Sequence, residues 1–464
     1  MCSRFKLRFL VYSLLLVTTA ASTAMSQSHM PRLDYRERSL TNGLKVYTVQ
    51  DNSSPTVSIQ VWYRVGSKDD PEGRSGFAHL FEHMMFKRTK NMKSETFDRM
   101  TEDVGGFNNA STWDDYTNYY EVVPSNYLEM LLWAEADRMS SLVVDEAVFK
   151  SERDVVKEEF RQKVLSNPYG RLFYNISRRS FTKHPYRRNG FGSIEDLDAA
   201  TIEDVKGFHK TFYRPDNAVL IVVGDFEQAK LDAWIDKYLG RVPKPEGSVP
   251  RINSKEPERT AEQRFIEYAP NVPLPAVALN YLTPPASSAD TAAFLVAEVI
   301  LAQGESSRLN QSLVYQKELA VAAFATWDYR SGSYFREDPS PFTVIAVAAG
   351  GKKVEDCESA LVAEIKRLQD QMIPADEIEK AKNQLITDQL KKWETADGKA
   401  NAVGLATILM NDARRVNNTL EGLKAVTAAD VQRVMKKYFA ENQKVVIYYL
   451  PDSMRPAGEK GGAQ

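Results

Sequence analysis

The chain has 464 residues, 60 basic against 62 acidic, a formal charge of −2, and 43% hydrophobic and 26% charged side chains. A length of this order suggests roughly two to four domains, and the composition is that of a folded protein rather than a disordered one. Near-neutral charge excludes sequence-blind nucleic-acid binding, which needs a surplus of Lys and Arg, and a single apolar run excludes a polytopic membrane protein.

At the N-terminus, Arg4, Lys6 and Arg8 precede the apolar run Phe9 to Val17 and the small residues Ala21-Ser22-Thr23-Ala24. Basic, apolar and small segments in that order predict a secretory signal over residues 1–24. The run is shorter than the ~20 residues that span a bilayer as a helix. The expected mature protein is therefore exported, to the periplasm if the source is a Gram-negative bacterium, with no membrane span and a mildly acidic balance. Cys2 leaves with the signal, so Cys357 has no partner in the chain. Intramolecular disulfides and Cys-rich zinc sites are excluded, and the fold must stand on its core.

Alternating strands are expected at Leu44–Val49, Val57–Val65 and Tyr116–Val122, and amphipathic helices at Asn126–Ser140, Asp145–Leu165 and Ala375–Trp393. Strands and helices that do not strictly alternate indicate an α+β fold rather than a doubly wound sheet. No G-x-S-x-G elbow or phosphate-binding G-x-x-x-x-G-K occurs, and Gly190-Phe-Gly192 lacks the third glycine of a dinucleotide loop. What remains lies after the second strand: Gly76-Phe-Ala-His79-Leu-Phe-Glu82-His83-Met-Met-Phe86.

As a helix, this stretch puts His79, Glu82 and His83 on one face. Phe77, Leu80, Phe81, Met84 and Met85 make the rest apolar, so the segment is expected to be buried. Burying two imidazoles and a carboxylate without partners costs on the order of several kcal/mol, and a divalent cation removes that cost. A lone histidine on an apolar face is normally a satisfied core residue; two, one turn apart with a Glu between them, are not. Zinc commonly takes three protein ligands and leaves a fourth position to water, so a further His or carboxylate is needed. The helix Asp145–Leu165 offers one. Val148, Glu152, Val155 and Glu159 form one stripe, expected to face inward beside apolar Phe149, Val156 and Phe160.

The chain also repeats itself. Thr201 to Val223 and Thr427 to Tyr449 both read as a capped helix, a turn and a buried strand. Without gaps, Thr201, Asp204, Val205, Lys210, Val219 and Ile221 fall on Thr427, Asp430, Val431, Lys436, Val445 and Ile447. Pro55-Thr-Val-Ser-Ile-Gln-Val matches Pro275-Ala-Val-Ala-Leu-Asn-Tyr more loosely. We expect an internal duplication into two homologous α+β domains, each a mainly antiparallel sheet packed with helices. The first spans residues 31–242 and the second 264–455, joined by a Pro-rich charged linker at 243–263. The five histidines are His29, His79, His83, His184 and His209, so only the first domain is equipped for metal.

These motifs resemble the inverted-zincin peptidases: pitrilysin, insulin-degrading enzyme and the mitochondrial processing peptidase. That family's H-x-x-E-H is followed about 76 residues later by a Glu within E-R-x-V-V-x-x-E, and this chain has Glu152-Arg-Asp-Val-Val-Lys-Glu-Glu159. Gly105-Gly-Phe-Asn-Asn109-Ala-Ser-Thr112, Ala136-Asp-Arg and Ser306-Ser-Arg-Leu309 match as well. The resemblance implies a zinc endopeptidase with one Zn2+ per chain, held by His79, His83 and Glu159. Glu82 would be the general base and Glu152 a supporting carboxylate, and Glu158 is the rival third ligand. It further implies that an extended peptide adds to the Gly105–Thr112 strand, with Asn109 and Ala110 the nearest contacts.

One departure bears on partners. After S-R-L, active relatives carry an Arg and, seven residues later, a Tyr that hold the substrate; those positions are Val314 and Val321 here, with Tyr315 one residue off. The resemblance then implies a heterodimer with a zinc-free homologue that supplies the clamp, or a homodimer that works without it. Two other readings share the fold: a non-catalytic scaffold subunit, and a peptide-binding module without hydrolysis.

Overall fold

The computed structural model describes residues 30–188, 190–327 and 336–458; the expected signal at 1–24 lies outside them. Eleven described strands form two sheets. The first contains β1 (Arg36–Ser39), β2 (Lys45–Gln50), β3 (Thr56–Tyr63), β4 (Phe107–Thr112), β5 (Thr117–Pro124) and β6 (Ala218–Gly224), in the spatial order β1-β2-β6-β3-β5-β4. The second contains β7 (Gln263–Ala269), β8 (Ala276–Leu282), β9 (Ala320–Thr326), β10 (Pro341–Ala348) and β11 (Val445–Pro451), in the order β7-β11-β8-β10-β9. With β1 set aside, the two orders are the same. Each sheet has one parallel pair at the same place, β2 with β6 and β7 with β11, and is otherwise antiparallel. The chain is thus two α+β domains of common topology.

The helices used below are α1 (Phe77–Met84), α2 (Leu128–Ser141), α3 (Glu146–Phe160), α4 (Gly170–Ser180), α5 (Ile202–Phe212), α6 (Thr291–Ala302), α7 (Val354–Asp370), α8 (Ala375–Lys392), α9 (Ala396–Leu409) and α10 (Ala428–Tyr438). The repeat shows at its helix starts. Thr201 and Thr427 each accept from the backbone N–H three residues on, while Asp204 and Asp430 reach back to the cap N–H, so two orphan donors are satisfied at each helix. Both helices run into the strands that form the parallel pairs, β6 and β11.

The central strand β3 is buried along nearly its whole length. Val57, Ile59, Val61 and Tyr63 join the first core with Phe77, Phe81, Leu131 and Phe149. On the opposite face, Ser58, Gln60 and Trp62 lie under α9, which belongs to the second half of the chain. Gly404 makes that approach possible, since a Cβ there would lie 2.3 Å from the Trp62 ring. The arrangement is reciprocal. Helix α4 of the first half covers the second sheet, where Leu172 and Ile176 share a core with Ala276, Ala278, Ile345, Val445 and Ile447. Each half therefore lends the other a helix, and β3 and β8 are buried on both faces as a result.

Most element ends differ from the sequence reading by one or two residues, and two places differ by more than that or in kind. The helix expected over Asp145–Leu165 ends as an α-helix at Phe160 and continues as a wider π-turn through Arg161–Ser166. The linker expected at 243–263 already enters β7 at Gln263. It is also tied down: Arg214 donates to the carbonyls of Pro245 and Gly247, and Glu256 accepts the backbone N–H groups of Thr182, Lys183 and His184. Among the described residues, no helix is long and apolar enough to cross a membrane.

Candidate metal centre

Helix α1 starts at Gly76, whose φ of 98° is in the left-handed region that glycine enters without a Cβ penalty. The Asp70 carboxylate accepts from the N–H groups of Gly76 (2.7 Å) and Ala78 (2.8 Å), so it caps the helix from outside the helix sequence. Asp70 is buried, and burial pushes its carboxyl up to about 7 against the pull of those two bonds. Phe77, Ala78, Leu80, Phe81 and Met84 are buried in the first core. That leaves His79, Glu82 and His83 on the remaining side, half-buried and facing α3.

The two rings meet edge to face, with centroids 4.9 Å apart. His79 Nε2 is 3.9 Å from one Glu159 oxygen and His83 Nε2 is 3.6 Å from the other. One ligand atom from each of His79, His83 and Glu159 can be chosen so that all lie within 4.8 Å of one another. Glu158 points elsewhere, toward Arg161 at 3.2 Å and Gln162 at 3.3 Å, so it is not the third member. Lys163, one turn beyond Glu159, donates to it at 2.9 Å. Two neutral imidazoles and a carboxylate are the donor set that zinc takes when it keeps an open position, so the side chains present fit the metal implied by the motif.

Around this triad, His83 Nδ1 lies 3.6 Å from Glu152 Oε2, and Lys87 donates to the other oxygen of Glu152 at 2.9 Å. Burial alone would raise the Glu152 carboxyl; the bonds to His83 and Lys87 outweigh it and hold the group below its ordinary value. A carboxylate behind a histidine fixes the ring and its tautomer. Glu82 behaves oppositely. Burial raises its carboxyl, Glu159 adds to the rise, and Thr112, His83 and Lys163 oppose it.

The expected inward stripe on α3 needs correction. Val155, midway between Glu152 and Glu159, is 43% exposed, while Phe149, Glu152, Val156 and Phe160 are the buried set. Glu152 is buried and Glu159 half-buried, so the two acids flank an exposed position instead of lining one inward stripe.

Beside α1 runs β4, the edge strand of the first sheet; among the described residues nothing pairs with its outer edge. Ala110 is buried, Asn109 is exposed, and the Asn109 side-chain oxygen takes the Ala110 N–H at 2.8 Å. Thr112 approaches the Ala78 carbonyl at 3.5 Å, which places this strand against α1. In the second half, Val321 lies on the edge strand β9 and is 55% exposed, Tyr315 is 53% exposed, and Val314 is half-buried. The sequence reading missed Asp70, Lys87 and Lys163. Only Lys163 left a signal, standing four residues after Glu159 on the same helix face.

The matches to known proteins agree with this geometry. A family profile described as Insulinase (Peptidase family M16) covers residues 45–192, and one described as Peptidase M16 inactive domain covers 199–385. The zinc protease PqqE of Helicobacter pylori is 30% identical over 448 residues, 96% of this chain and 98% of its own. The chain belongs to the insulinase (M16) peptidase family. A probable mitochondrial-processing peptidase subunit beta of Arabidopsis thaliana is 25% identical, over 90% of this chain and 79% of its own. Among solved structures, a protease from Helicobacter pylori matches with a TM-score of 0.86 at 30% identity, covering 90% of this chain and 100% of that one. The periplasmic protease PqqL of Escherichia coli shares the fold at 17% identity, with a TM-score of 0.73 over 91% of this chain and 48% of its own. The M16 profile that carries the motif thus covers the half with His79, Glu82, His83 and Glu159, and the inactive-domain profile falls mainly on the other half.

Proposed function

We propose that this M16 chain is a zinc-dependent endopeptidase. The observation that carries the reading is the convergence of His79, His83 and Glu159 from two helices, with Glu82 on the same helix as the imidazoles. When bound there, zinc supplies Lewis-acid polarisation of a peptide carbonyl and a water of lowered pKa. Glu82 then accepts and returns a proton at its carboxylate, and its raised pKa brings it closer to the working pH of a general base. Glu152 orients the His83 ring through Nδ1, and its bonds to His83 and Lys87 hold its carboxyl low against burial. The open edge of β4 binds an extended peptide as an added strand, as other sheet edges do.

Zinc analysis of the purified chain, followed by Glu82→Gln assayed on a quenched peptide, tests this. The expected result is zinc near one per chain in both proteins and loss of hydrolysis in the variant. Equal residual cleavage by both proteins, or a wild-type chain without zinc, would leave a scaffold subunit or a peptide-binding module as the reading.

The partner reading rests on Val314 and Val321, apolar where active relatives carry an Arg and a Tyr. We infer that a zinc-free homologous subunit supplies this clamp in a heterodimer, with a homodimer as the second possibility. Activity that appears only on mixing with such a subunit supports it, and full activity of the isolated chain refutes it. Export to the periplasm follows from the residues 1–24 reading, and fractionation of a tagged full-length chain tests it.

A further inference from the structure

The face of the first sheet turned away from the metal helix has a recess of about 150 Å³. Gln60, Tyr120 and Asn118 form its floor, Ser111, Trp113 and Tyr116 its aromatic and polar rim, and Asp397, Asn401 and Leu405 of α9 its wall. A volume of this size admits a benzene-sized group, so it is large enough for a side chain.

Asp397 gives the recess its chemistry. One oxygen, Oδ1, accepts from Gln60 Nε2 at 2.8 Å and from Ser58 Oγ at 3.3 Å. Gln60 is fixed in turn by Trp62, whose ring N–H donates to its Oε1 at 2.8 Å. Both donors to Asp397 are neutral, and among the described residues no Lys, Arg or His lies within ion-pair distance of it. Burial accordingly raises its carboxyl. A half-buried carboxylate with only neutral partners loses hydration without gaining a counter-ion, although its place in the first turn of α9 offsets part of that loss. The aromatic rings around it favour a cation for a second reason, since a cation over a ring face is attracted by the ring quadrupole.

The recess opens beside the substrate strand. In β4, Asn109 pairs with Tyr120 and Ser111 with Asn118, so the floor of the recess continues directly to the edge strand. Side chains alternate along a strand. A peptide added to β4 would send alternate side chains toward α1, in the row of Ala110, and toward α9, in the rows of Asn109 and Ser111. Tyr120 pairs with Gln60 on one side and with Asn109 on the other, so it links the floor of the recess to the edge strand. The recess therefore lies beside the edge strand that would carry the peptide, on the sheet face opposite α1.

We propose that this recess is a specificity pocket in which Asp397, walled by Trp113, Tyr116 and Tyr120, receives a Lys or Arg side chain of the bound peptide. The inference rests on the peptidase reading for its register, and on Asp397 and α9 for its selectivity. It gives the second, histidine-free half a direct part in choosing substrate.

The test is a set of neutral, polar quenched peptides through which a single Lys, norleucine or Glu is walked. In the wild-type chain, with the homologous subunit added if cleavage needs it, one register is expected to show kcat/KM about tenfold higher for Lys than for norleucine, with Glu lowest. In Asp397→Asn that Lys-to-norleucine ratio falls to about one. A ratio taken within each protein is insensitive to loss of folded material. No Lys preference at any register in the wild type, or an unchanged ratio in Asp397→Asn, overturns the proposal. Anisotropy of the same peptides on zinc-loaded Glu82→Gln separates it from the peptidase reading. Lys-selective binding without wild-type cleavage removes the hydrolase and keeps the pocket. Glu82-dependent cleavage indifferent to Lys does the reverse, and absence of both binding and cleavage removes the pocket as well.

Discussion

Gly192 sits against the start of α1, and Gly192→Ala tests whether that contact sets the proposed metal site. Its φ is +72°, and a Cβ there would lie 2.1 Å from the Ser75 carbonyl oxygen and 2.6 Å from Gly76 Cα. Alanine in the left-handed region costs roughly 1–2 kcal/mol, and forcing a methyl against backbone costs a further ~1–3 kcal/mol. The expected loss is about 2–5 kcal/mol. Gly207 is the control of opposite sign. It lies exposed inside α5 at an ordinary helical φ with no atom within 4 Å of an added Cβ, so Gly207→Ala should gain about 1 kcal/mol. Urea unfolding followed by circular dichroism, with and without chelator, reads both. Any relief of the Gly192→Ala clash moves Ser75 and Gly76, three residues from His79, so the variant should also release zinc faster to a competing chelator. A Gly192→Ala protein within about 0.5 kcal/mol of wild type, or a Gly207→Ala protein less stable than wild type, would refute the packing argument.

Two further outcomes are expected. Zinc at about a thousand times its dissociation constant should stabilise the chain by ~4 kcal/mol, and Glu159→Gln should abolish most of that increment; a melt equally zinc-sensitive in wild type and variant would remove Glu159 from the ligand set. Asp51, which accepts from Lys399 of α9, has its carboxyl held at about 2, chiefly by that bond. Because the folded value lies below the unfolded one, its contribution is present above the ordinary carboxylate range and is lost as pH falls toward 2. The urea midpoints of wild type and Asp51→Asn should therefore differ at pH 5 and converge near pH 2, and a gap that is constant with pH would count against the pair.

Where local rules decide, the residues were legible in the sequence. Thr201 with Asp204 and Thr427 with Asp430 are capping boxes because the spacing alone brings cap and N3 together. That His79 and His83 share a face was legible from their spacing, and the structure brings both to Glu159. Chain-distant contacts were not legible. Asp70 caps α1 from six residues before Gly76, and nothing in Asp-Pro-Glu-Gly marks it as a cap. Lys87 meets Glu152 only once α1 and α3 are packed. Val155 misled because helical spacing gives a stripe its direction around the axis but not its neighbour, and here Val155 faces solvent.

The least legible feature is the exchange of α4 and α9 between the halves, and it bears most on what the second half is for. Both helices carry apolar faces, but no pattern within a helix states which sheet it will cover. Gly404 against Trp62 and Leu172 against Ala276 supply that information in three dimensions. A half that only filled space could be replaced by any lid of suitable shape. This one delivers α9 across β3 and sets Asp397 beside the strand on which the proposed substrate lies. The part proposed for the histidine-free second half is carried by a helix rather than by a metal. Changes on the exposed surface of α9 should leave zinc binding intact, and changes at Asp397 should alter which peptides are taken.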